Sequence, residues 1–435
     1  MRTQLVVTGR AALVAALGSI VVAVLAPSWL GVAVMTVLLL GAVGIDLSVA
    51  GNCRAVTITR PTFATVRLGR RVEVPLTIAN GSAGRVRGTL WDDWQSSAGV
   101  LHRSHPIDLA PGQETRLDNE AEPVRRGDRL GSAVTLRVIG PLGLGGRQIR
   151  HTIDTTIRAL PAFRSERQLP SRVRQLQHLE GRNIATVRGQ GTEFDSYREY
   201  AIGDDVRSID WRATARARDV VVRTWRPERN RHVLLILDTG RASAGRTIDG
   251  TRLDTCMEAA LLLGGLASRA GDTVDLLAYD RAVRAEVLGI TGKRLQHRLM
   301  DAMAPLTPRL DETDCRGLVE AALLRTKRRS LVVWCTSIES GYPAADLLPA
   351  VRTLAHRHHV LMVSVGDPEV TALAGRRDDA AALYSAAAAE RAIARRDLVG
   401  ETLRRIGVKV VAAEPERLPA TLADEYLELK RVGTM

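Results

Sequence analysis

The hydrophobic pattern divides the chain into three main sections, of which the first is the most apolar. No charged residue occurs between Ala11 and Ile45. A single helix of that length would extend about 50 Å, which exceeds the roughly 30 Å thickness of a hydrocarbon core. Pro27 lies near the middle of the run, where a proline interrupts helical hydrogen bonding. We therefore predict a transmembrane hairpin of two short helices within residues 1–53.

Positive charge flanks this section on both sides. Arg2 and Arg10 precede it, Arg54 begins a series of arginines that follows it, and the turn at Pro27 carries no charge. Basic flanks favour the cytoplasmic side, so we expect a two-pass protein of the inner or plasma membrane with most of its chain in the cytoplasm. The alternative is a signal peptide that ends near Ala26, which Pro27 and the second apolar run disfavour.

The second section, from Arg54 to Pro161, alternates between apolar and polar residues in short runs separated by turn residues. Such spacing is typical of an antiparallel sandwich of immunoglobulin-like type. We assign it to a β-sandwich domain at residues 54–162. The predicted strands are Val56–Thr59, Val72–Ala79, Arg85–Trp91, Ala133–Ile139 and Ile149–Ile157.

The third section, from His232 onwards, alternates continuous apolar strands with helical patterns. This order predicts an α/β domain at residues 232–435 with a mostly parallel sheet, whose ligands gather at the carboxyl ends of the strands. A linker with a polar segment occupies residues 163–231. The predicted strands are His232–Asp238, Thr273–Tyr279, Ser330–Thr336, Val360–Val365 and Val408–Ala412; the predicted helices are Leu253–Ala270, Arg294–Met303, Asp314–Lys327, Ala344–His356, Asp379–Arg396 and Pro419–Lys430.

Charge and cysteine usage narrow the function classes. The net charge is +13, but the arginines are spread along the chain and are not interleaved with stacking aromatic residues. We therefore expect no nucleic-acid partner, and membrane lipid headgroups account for the charge more simply. None of the four cysteines forms a CxxC pair, so buried reduced thiols are expected in place of disulfides or a zinc site.

The most informative segment is residues 189–216, which we call the collar. Acidic, basic and aromatic residues surround a Gly203-Asp204-Asp205 turn. Arginine forks that pair with carboxylates can fix irregular backbone, and Tyr200 and Trp211 can each bury one face. The collar is then a structural clamp between the two domains or a surface that recognises a partner. An active site is disfavoured because no His, Cys or activated Ser lies among the acids.

The collar closely resembles the signature of the bacterial domain-of-unknown-function 58 family. That signature has a Glu-Phe pair, Arg-x-Tyr, Gly-Asp-Asp-x-Arg-x-Ile-Asp-Trp and Ala-Arg. The matching residues, which are our candidate partner-binding or structural residues, are Glu193, Arg198, Tyr200, Asp204, Arg207, Asp210, Trp211 and Arg216.

Members of that family are similar to von Willebrand factor A domains. They commonly occur beside MoxR-type AAA ATPases, sometimes with a transglutaminase-like membrane protein. The resemblance therefore implies a membrane-anchored, cytoplasm-facing protein-interaction module. It would serve as an accessory or adaptor to such an ATPase in envelope-related assembly or quality control, and it would not be an enzyme. The sequence does not identify the oligomeric state.

The resemblance also raises the question of a metal. A von Willebrand A domain usually binds Mg²⁺ with an Asp-x-Ser-x-Ser loop, a threonine and a later aspartate. Here Asp238 is kept, but Gly240 and Ala242 replace both serines, and Ser337 stands where the later aspartate is expected. Thr313 is the candidate threonine. We expect a degenerate, metal-free site. Ser243 or Glu339 could replace the missing oxygen ligands only if the loops shift.

Two functions from other classes stay open. The first is a metal-dependent ligand receptor that binds Mg²⁺ through Asp238 and Thr313. The second is a hydrolase, disfavoured because the sequence offers no evident nucleophile–base pair at the strand ends. The run from His356 to His359 resembles a metal cluster, but we interpret it as exposed histidines at the end of a helix.

Overall fold

The computed structural model describes residues 3–25, 27–186, 193–202, 204–217, 219–226, 231–292, 294–338 and 344–432. The chain divides into two compact units, Met1–Leu160 and Pro161–Met435.

Two apolar helices lie near the start of the first unit, α1 at Gly9–Leu25 and α2 at Trp29–Val49. Between them lies Pro27, and the Ser28 hydroxyl caps α2 by accepting a hydrogen bond from the backbone N–H of Gly31 at 3.2 Å. By length and composition α2 could cross a membrane, whereas α1 is shorter. An N-terminal apolar helix of spanning length is therefore present as predicted, and the second crossing stays a prediction.

The rest of the first unit is built from β-strands. Its larger sheet has the order β1-β11-β10-β6-β7, with β3 added to β11, and a second sheet has the order β2-β5-β8. The strands are β1 Gln4–Val7, β2 Val56–Thr59, β3 Phe63–Arg67, β4 Val72–Glu73, β5 Leu76–Asn80, β6 Val86–Trp94, β7 Ser104–Leu109, β8 Glu114–Leu117, β9 Glu120–Ala121, β10 Gly127–Ile139 and β11 Gly145–Leu160.

Two differences from the sequence prediction have clear causes. The strand predicted at Val72–Ala79 is divided between β4 and β5, because Pro75 has no N–H to donate to a ladder. The strand β1 was missed because it precedes the apolar run. It pairs antiparallel with β11, from Gln4 opposite Gln148 to Val7 opposite Gly145.

An ion pair is buried in the first unit. The guanidinium of Arg60 donates to Asp92 at 2.5 Å and to Thr155 at 2.7 Å, and it lies 4.5 Å from the centre of the Trp94 ring. The indole N–H of Trp94 donates to the other oxygen of Asp92 at 2.7 Å. Because each charge has several partners, this pair can remain in the core.

The second unit contains a six-stranded sheet of order β18-β17-β14-β19-β20-β21 and a two-stranded sheet, β12-β13. Its strands are β12 Glu193–Glu199, β13 Val221–Arg226, β14 His232–Asp238, β15 Arg246–Thr247, β16 Gly250–Thr251, β17 Thr273–Tyr279, β18 Val283–Ile290, β19 Leu331–Thr336, β20 His359–Val365 and β21 Lys409–Ala413. Its helices are α3 Leu169–Thr186, α4 Trp211–Thr214, α5 Arg252–Arg269, α6 Arg294–Met303, α7 Cys315–Arg325, α8 Ala344–Ala355, α9 Pro368–Ala374, α10 Ala380–Arg405 and α11 Leu418–Val432.

The core of this unit lies around the central strands. β14 pairs in parallel with β17 and β19, and the side chains of β14 and β19 are almost wholly buried. The edge strand β18, which the sequence analysis missed, runs antiparallel to β17. Parallel central strands direct their carboxyl ends to one edge of the sheet, so the residues after β14 and β19 meet there.

Candidate functional site

Asp238 ends β14 at the carboxyl edge of the sheet, and its side chain is fully buried. The Thr313 hydroxyl donates to its Oδ1 at 2.5 Å, and the Thr336 hydroxyl donates to its Oδ2 at 2.6 Å. The backbone N–H of Gly240 also donates to Oδ1, at 2.8 Å. The structure thus brings both predicted metal candidates together, and hydrogen-bond donors of the chain occupy both carboxylate oxygens.

A serine cannot replace Gly240 without a steric clash. A Cβ placed on Gly240 would lie 2.1 Å from Thr313 Oγ1 and 3.0 Å from the carbonyl oxygen of Asp311. The threonine hydroxyl therefore fills the space where a serine side chain would begin. Ser243 donates its hydroxyl to the main-chain oxygen of Asp238 at 2.6 Å, and Glu339 lies outside the described residues.

A buried guanidinium lies beside Ser337. Arg252 is 7% exposed, and its Nη1 donates to Ser337 Oγ at 2.8 Å. Its Nη2 donates to Asp367 Oδ2 at 3.2 Å. A fixed positive charge therefore stands next to the position where the second aspartate of a magnesium site was expected.

This donor set does not fit Mg²⁺, which prefers octahedral oxygen ligands, carboxylates among them. Among the described residues of the set, Asp238 supplies the carboxylate, and both of its oxygens already accept hydrogen bonds. Arg252 adds positive charge where a second carboxylate would be needed. Across the described ranges, no group of three or more His, Cys, Asp or Glu side chains could hold a metal ion.

Asp210 organises the collar. It is 6% exposed, and its Oδ1 accepts the backbone N–H groups of Arg212 at 2.9 Å and Ala213 at 3.0 Å, which caps α4. Its Oδ2 accepts the Tyr197 hydroxyl at 3.1 Å and Arg223 Nε at 2.6 Å. The backbone N–H of Ala213, followed by the Arg223 guanidinium, lowers the pKa of Asp210 to about 2.

A second carboxylate, that of Asp204, stabilises the turn that precedes Asp210. Arg198 Nη2 donates to Asp204 Oδ1 at 2.5 Å, and the backbone N–H of Ala201 donates to Asp204 Oδ2 at 2.9 Å. The backbone N–H of Tyr200 donates to the carbonyl oxygen of Val220 at 2.7 Å. Hydrogen bonding to Arg198 lowers the pKa of Asp204. Arginine–carboxylate pairs therefore hold the described turn around Asp204 and Asp210.

The other signature residues behave differently. The side chains of Arg207 and Arg216 are exposed and, in the described part of the chain, form no ion pair. The side chain of Glu193 and the whole of Gly203 lie outside the described residues. The sequence analysis missed Tyr197 and Arg223, which hold Asp210. Arg223 follows the signature, and its position in an alternating strand carries no signal of that role.

The expectation that Trp211 buries one face was wrong. Its side chain is 69% exposed, because the inward position of this turn is taken by Asp210, which contacts Tyr197 and Arg223. Ile202 is 102% exposed and Val206 is 62% exposed. We call Ile202, Val206 and Trp211 the apolar patch of the collar.

A serine, a histidine and an aspartate lie within hydrogen-bond distance at the opposite edge of the sheet, so the expected absence of such a pair was also wrong. His232 Nε2 lies 2.8 Å from Asp275 Oδ2, and His232 Nδ1 lies 2.9 Å from Ser330 Oγ. Ser330 is 4% exposed, and its hydroxyl donates to the carbonyl oxygen of Arg328 at 2.8 Å. That hydrogen bond and the burial hold the hydroxyl away from a substrate.

One histidine of the His356–His359 run and all four cysteines are buried. His358 is 4% exposed, so the interpretation of that run as exposed histidines fails there, and burial lowers the pKa of its imidazole. All four cysteines are free and buried, which confirms the expected reduced thiols. Burial raises the pKa of Cys315 to about 12, which makes it a poor nucleophile.

Together, the second unit is an α/β domain whose sheet edge carries a closed polar cluster, accompanied by a collar held by carboxylates. Residues 196–379 match the model of the family described as "Protein of unknown function DUF58". This match covers most of the collar and the whole cluster around Asp238. It confirms the family resemblance predicted from the signature.

Relatives add little about function. Uncharacterised proteins of Mycobacterium bovis and Mycobacterium tuberculosis are 28% identical to this chain over 192 residues, which is 44% of this chain and 60% of each relative. The matched region thus spans less than two thirds of those relatives.

Among solved structures, the VWA domain of SpRpn10 is similar with a TM-score of 0.29 and 12% identity over 45% of this chain and 95% of that chain. Proximal thread matrix protein 1 from the mussel byssus is similar with a TM-score of 0.28 and 11% identity over 46% of each chain. At these TM-scores the similarity does not assign a function to this chain.

Proposed function

We propose that this protein is a membrane-anchored, cytoplasm-facing interaction module that docks a MoxR-type AAA ATPase through its collar and performs no catalysis itself. In finer detail, the proposal combines a transmembrane hairpin, an immunoglobulin-like sandwich and a degenerate von Willebrand A-like domain. A transglutaminase-like membrane protein is a further proposed partner, by the same family resemblance. The role falls in envelope-related assembly or quality control.

The pairing of β1 with β11 supports the hairpin. Residues 4–7 precede both apolar helices, and residues 145–148 follow them, yet the two segments share a ladder. In a chain anchored through these helices, this pairing supports an even number of crossings, with both flanks on one side of the membrane. The arginines on both flanks favour the cytoplasmic side.

Labelling from outside the cell tests this topology. The native cysteines are all buried, so a Ser28→Cys variant introduces the one exposed thiol of the described chain. We expect a membrane-impermeant maleimide to label it on intact cells. A Ser82→Cys variant in the first unit is the control, and we expect labelling only after the cells are lysed. Protection of Ser28→Cys on intact cells contradicts the hairpin.

The apolar patch carries the docking proposal. Trp211 is 69% exposed directly after Asp210, a residue whose two carboxylate oxygens hold the surrounding backbone and side chains in place. An exposed tryptophan on a fixed support is the type of residue that dominates protein–protein binding energy. Exposed large apolar side chains on a monomer also mark interaction sites.

The charge around the patch indicates the chemistry of the partner. Arg207, Arg212 and Arg216 are exposed on the collar and, among the residues described, make no ion pair. Guanidinium groups bind carboxylates with two parallel hydrogen bonds. The ATPase surface that fits this patch is therefore an apolar pocket rimmed by Asp and Glu.

Binding of the purified ATPase of the same organism to the full chain in detergent tests the proposal. We expect Trp211→Ala to weaken binding by roughly thirtyfold or more, as loss of a central aromatic anchor does, without lowering the melting temperature. Tyr384, which is 80% exposed on α10, provides the matched control, and Tyr384→Ala should bind like wild type. Equal affinity of wild type and Trp211→Ala would refute docking through the collar.

We propose that the cluster around Asp238 functions without a metal, in contrast to a metal-dependent receptor. The support is the donor set itself, in which Thr313 and Thr336 occupy the carboxylate and Arg252 lies beside Ser337. Calorimetric titration of the full chain with Mg²⁺ should give no binding heat. Tight binding that Asp238→Ala removes favours the receptor.

Hydrolysis at Ser330 is a second candidate, favoured by its contact with His232. A fluorophosphonate probe, which reacts with activated serines, tests it on the purified full chain. We expect no labelling, because the hydroxyl is buried and donates to Arg328. Labelling of wild type that Ser330→Ala abolishes establishes an enzyme in place of the non-catalytic module.

A further inference from the structure

Three arginines of the first unit lie where the apolar helices meet the β-strands. Arg10 is at the start of α1, Arg54 follows α2, and Arg147 stands opposite Leu5 in the β1–β11 ladder. The Thr3 hydroxyl accepts a hydrogen bond from Arg54, and Thr3 directly precedes the strand in which Leu5 faces Arg147, so these two arginines lie at the same end of that ladder. We call Arg10, Arg54 and Arg147 the arginine cluster.

The cluster has free hydrogen-bonding capacity. Arg54 Nε donates to the Thr3 hydroxyl at 3.0 Å, and Arg10 lies over the backbone of Gly143, where an added Cβ would meet Nη1 at 2.9 Å. In the portion of the chain that the structure describes, none of the three guanidiniums forms an ion pair. Guanidinium forks match phosphate oxygens bidentately.

Asp46 fixes the height of the cluster relative to the proposed span. It lies 17 residues after Trp29, about 26 Å along the helix axis and close to the roughly 30 Å thickness of a hydrocarbon core. Its carboxylate is fully buried and accepts the backbone N–H groups of Leu142, Leu144 and Gly145 at 2.7 to 2.8 Å. The loop before β11 is thereby attached to the end of α2.

Apolar side chains surround this level. Leu5 is 70% exposed, Val7 is 66% exposed and Leu142 is 53% exposed, although all three belong to the β-rich part of the unit. Exposed apolar residues next to unpaired arginines are typical of a surface that faces both acyl chains and headgroups. Water alone would leave these three side chains without apolar contact.

From this arrangement we propose that the arginine cluster is a binding site for the phosphate of an anionic phospholipid headgroup, with Leu5, Val7 and Leu142 against the first acyl carbons. The inference rests on the proposed membrane anchoring. It adds to that proposal a specific lipid class and the residues that bind it. By holding a lipid on β11 and α1, the site would fix the first unit against the membrane surface.

The experiment uses the full chain purified in mild detergent and compares retained phosphatidylglycerol with phosphatidylcholine by mass spectrometry. We expect wild type to retain phosphatidylglycerol preferentially. Arg54→Gln combined with Arg147→Gln should reduce that preference by roughly tenfold or more, from the free energy that each basic residue contributes near anionic lipid.

The control removes the same charge at the far end of β11. Arg70 follows the segment that pairs with Leu160, and Arg125 precedes Gly127, which pairs with Ala159. Leu160 and Ala159 lie about 50 Å from Gly145 along β11. Arg70→Gln combined with Arg125→Gln should retain lipid like wild type. Equal loss in both double variants overturns the specific site, as does displacement of the lipid by inorganic phosphate at equal concentration.

Carbonate extraction of cell membranes distinguishes failure of the membrane anchoring from failure of the lipid site. If wild type is released, the anchoring fails and the lipid site fails with it. If wild type stays in the membrane but the Arg54→Gln and Arg147→Gln variant retains phosphatidylglycerol unchanged, the anchoring stands and the arginine cluster is not the site.

Discussion

Asp210 in the collar and Asp238 at the edge of the main sheet are both carboxylates of the second unit that accept hydrogen bonds at each of their oxygens. The donors to Asp210 are two backbone amides, a phenol and a guanidinium. The donors to Asp238 are two threonine hydroxyls and one amide. Asp210 lies beside an exposed tryptophan, whereas Asp238 lies within the core of the sheet.

This difference indicates that the Asp238 cluster stabilises the fold, whereas the Asp210 cluster supports the proposed binding surface. The Asp238 cluster joins β14, β19 and the loop before α7, so its hydrogen bonds contribute to the stability of the whole unit. The Asp210 cluster joins one short helix to a two-stranded sheet, and a small element of this kind opens locally at low cost. Functional surfaces are commonly found on such elements, held by a few strong contacts.

Removal of the buried carboxylate should have the largest effect. Asp238→Ala leaves the hydroxyls of Thr313 and Thr336 and the amide of Gly240 without that acceptor in a buried space. An unsatisfied buried group costs about 1–3 kcal/mol, so we expect a loss of about 4 kcal/mol in the free energy of unfolding. Urea denaturation of the full chain in detergent measures it.

Asp378, an exposed residue of the same unit, provides the control for that variant. Asp378→Ala should stay within about 0.5 kcal/mol of wild type, as surface substitutions usually do. An Asp238→Ala variant as stable as wild type contradicts the supporting role assigned to the cluster.

A serine at position 240 tests the Asp238 cluster by adding a side chain where Asp238→Ala removes one. Its Cβ would lie 2.1 Å from Thr313 Oγ1, so the threonine must move and its hydrogen bond to Asp238 is weakened. We expect Gly240→Ser to cost about 2 kcal/mol, as overpacking of a filled core does, and to create no Mg²⁺ site.

Gly375→Ser is the matched control for this substitution, because a Cβ there meets a carbonyl oxygen only at 3.6 Å. It should melt like wild type. Thermal unfolding of both variants with and without Mg²⁺ measures the loss of stability and any stabilisation by the metal. Stabilisation of Gly240→Ser by Mg²⁺ shows that the loop adapts to a metal, contrary to the closed cluster described here.

Apolar periodicity predicted the main elements of the second unit well. The strands His232–Asp238 and Thr273–Tyr279 and the helix Arg294–Met303 agree with the structure residue by residue. Continuous apolar runs bounded by turns leave little freedom in such assignments. The edge strand Val283–Ile290 was missed because its half-exposed residues carry no such run.

The candidate site was predictable only in part. The sequence identified Asp238 and Thr313 through family spacing, but the roles of Thr336 and Arg252 depend on which strand ends are neighbours in space. Trp211 was expected to bury one face, because an amphipathic ring can do so while its polar tip finds a partner. Its exposure depends on the direction that Asp210 takes, which no sequence pattern encodes.

Acid should loosen the collar, and this effect should be small and local. The pKa of Asp210 is lowered from 3.8 to about 2 by the Ala213 amide and the Arg223 guanidinium. A carboxylate whose pKa is depressed on folding stabilises the folded form above its unfolded pKa, and that stabilisation is lost as the pH falls through the folded pKa. We therefore expect α4 and its contacts to loosen between about pH 4 and pH 2, measured by hydrogen exchange of the Arg212 and Ala213 amides. Asp210→Asn keeps an acceptor for these amides but has no charge to lose, so their protection factors, which correct for the intrinsic pH dependence of exchange, should not change across that window. Equal pH dependence in wild type and Asp210→Asn would assign the loosening to another group and remove Asp210 from its place at the centre of the collar.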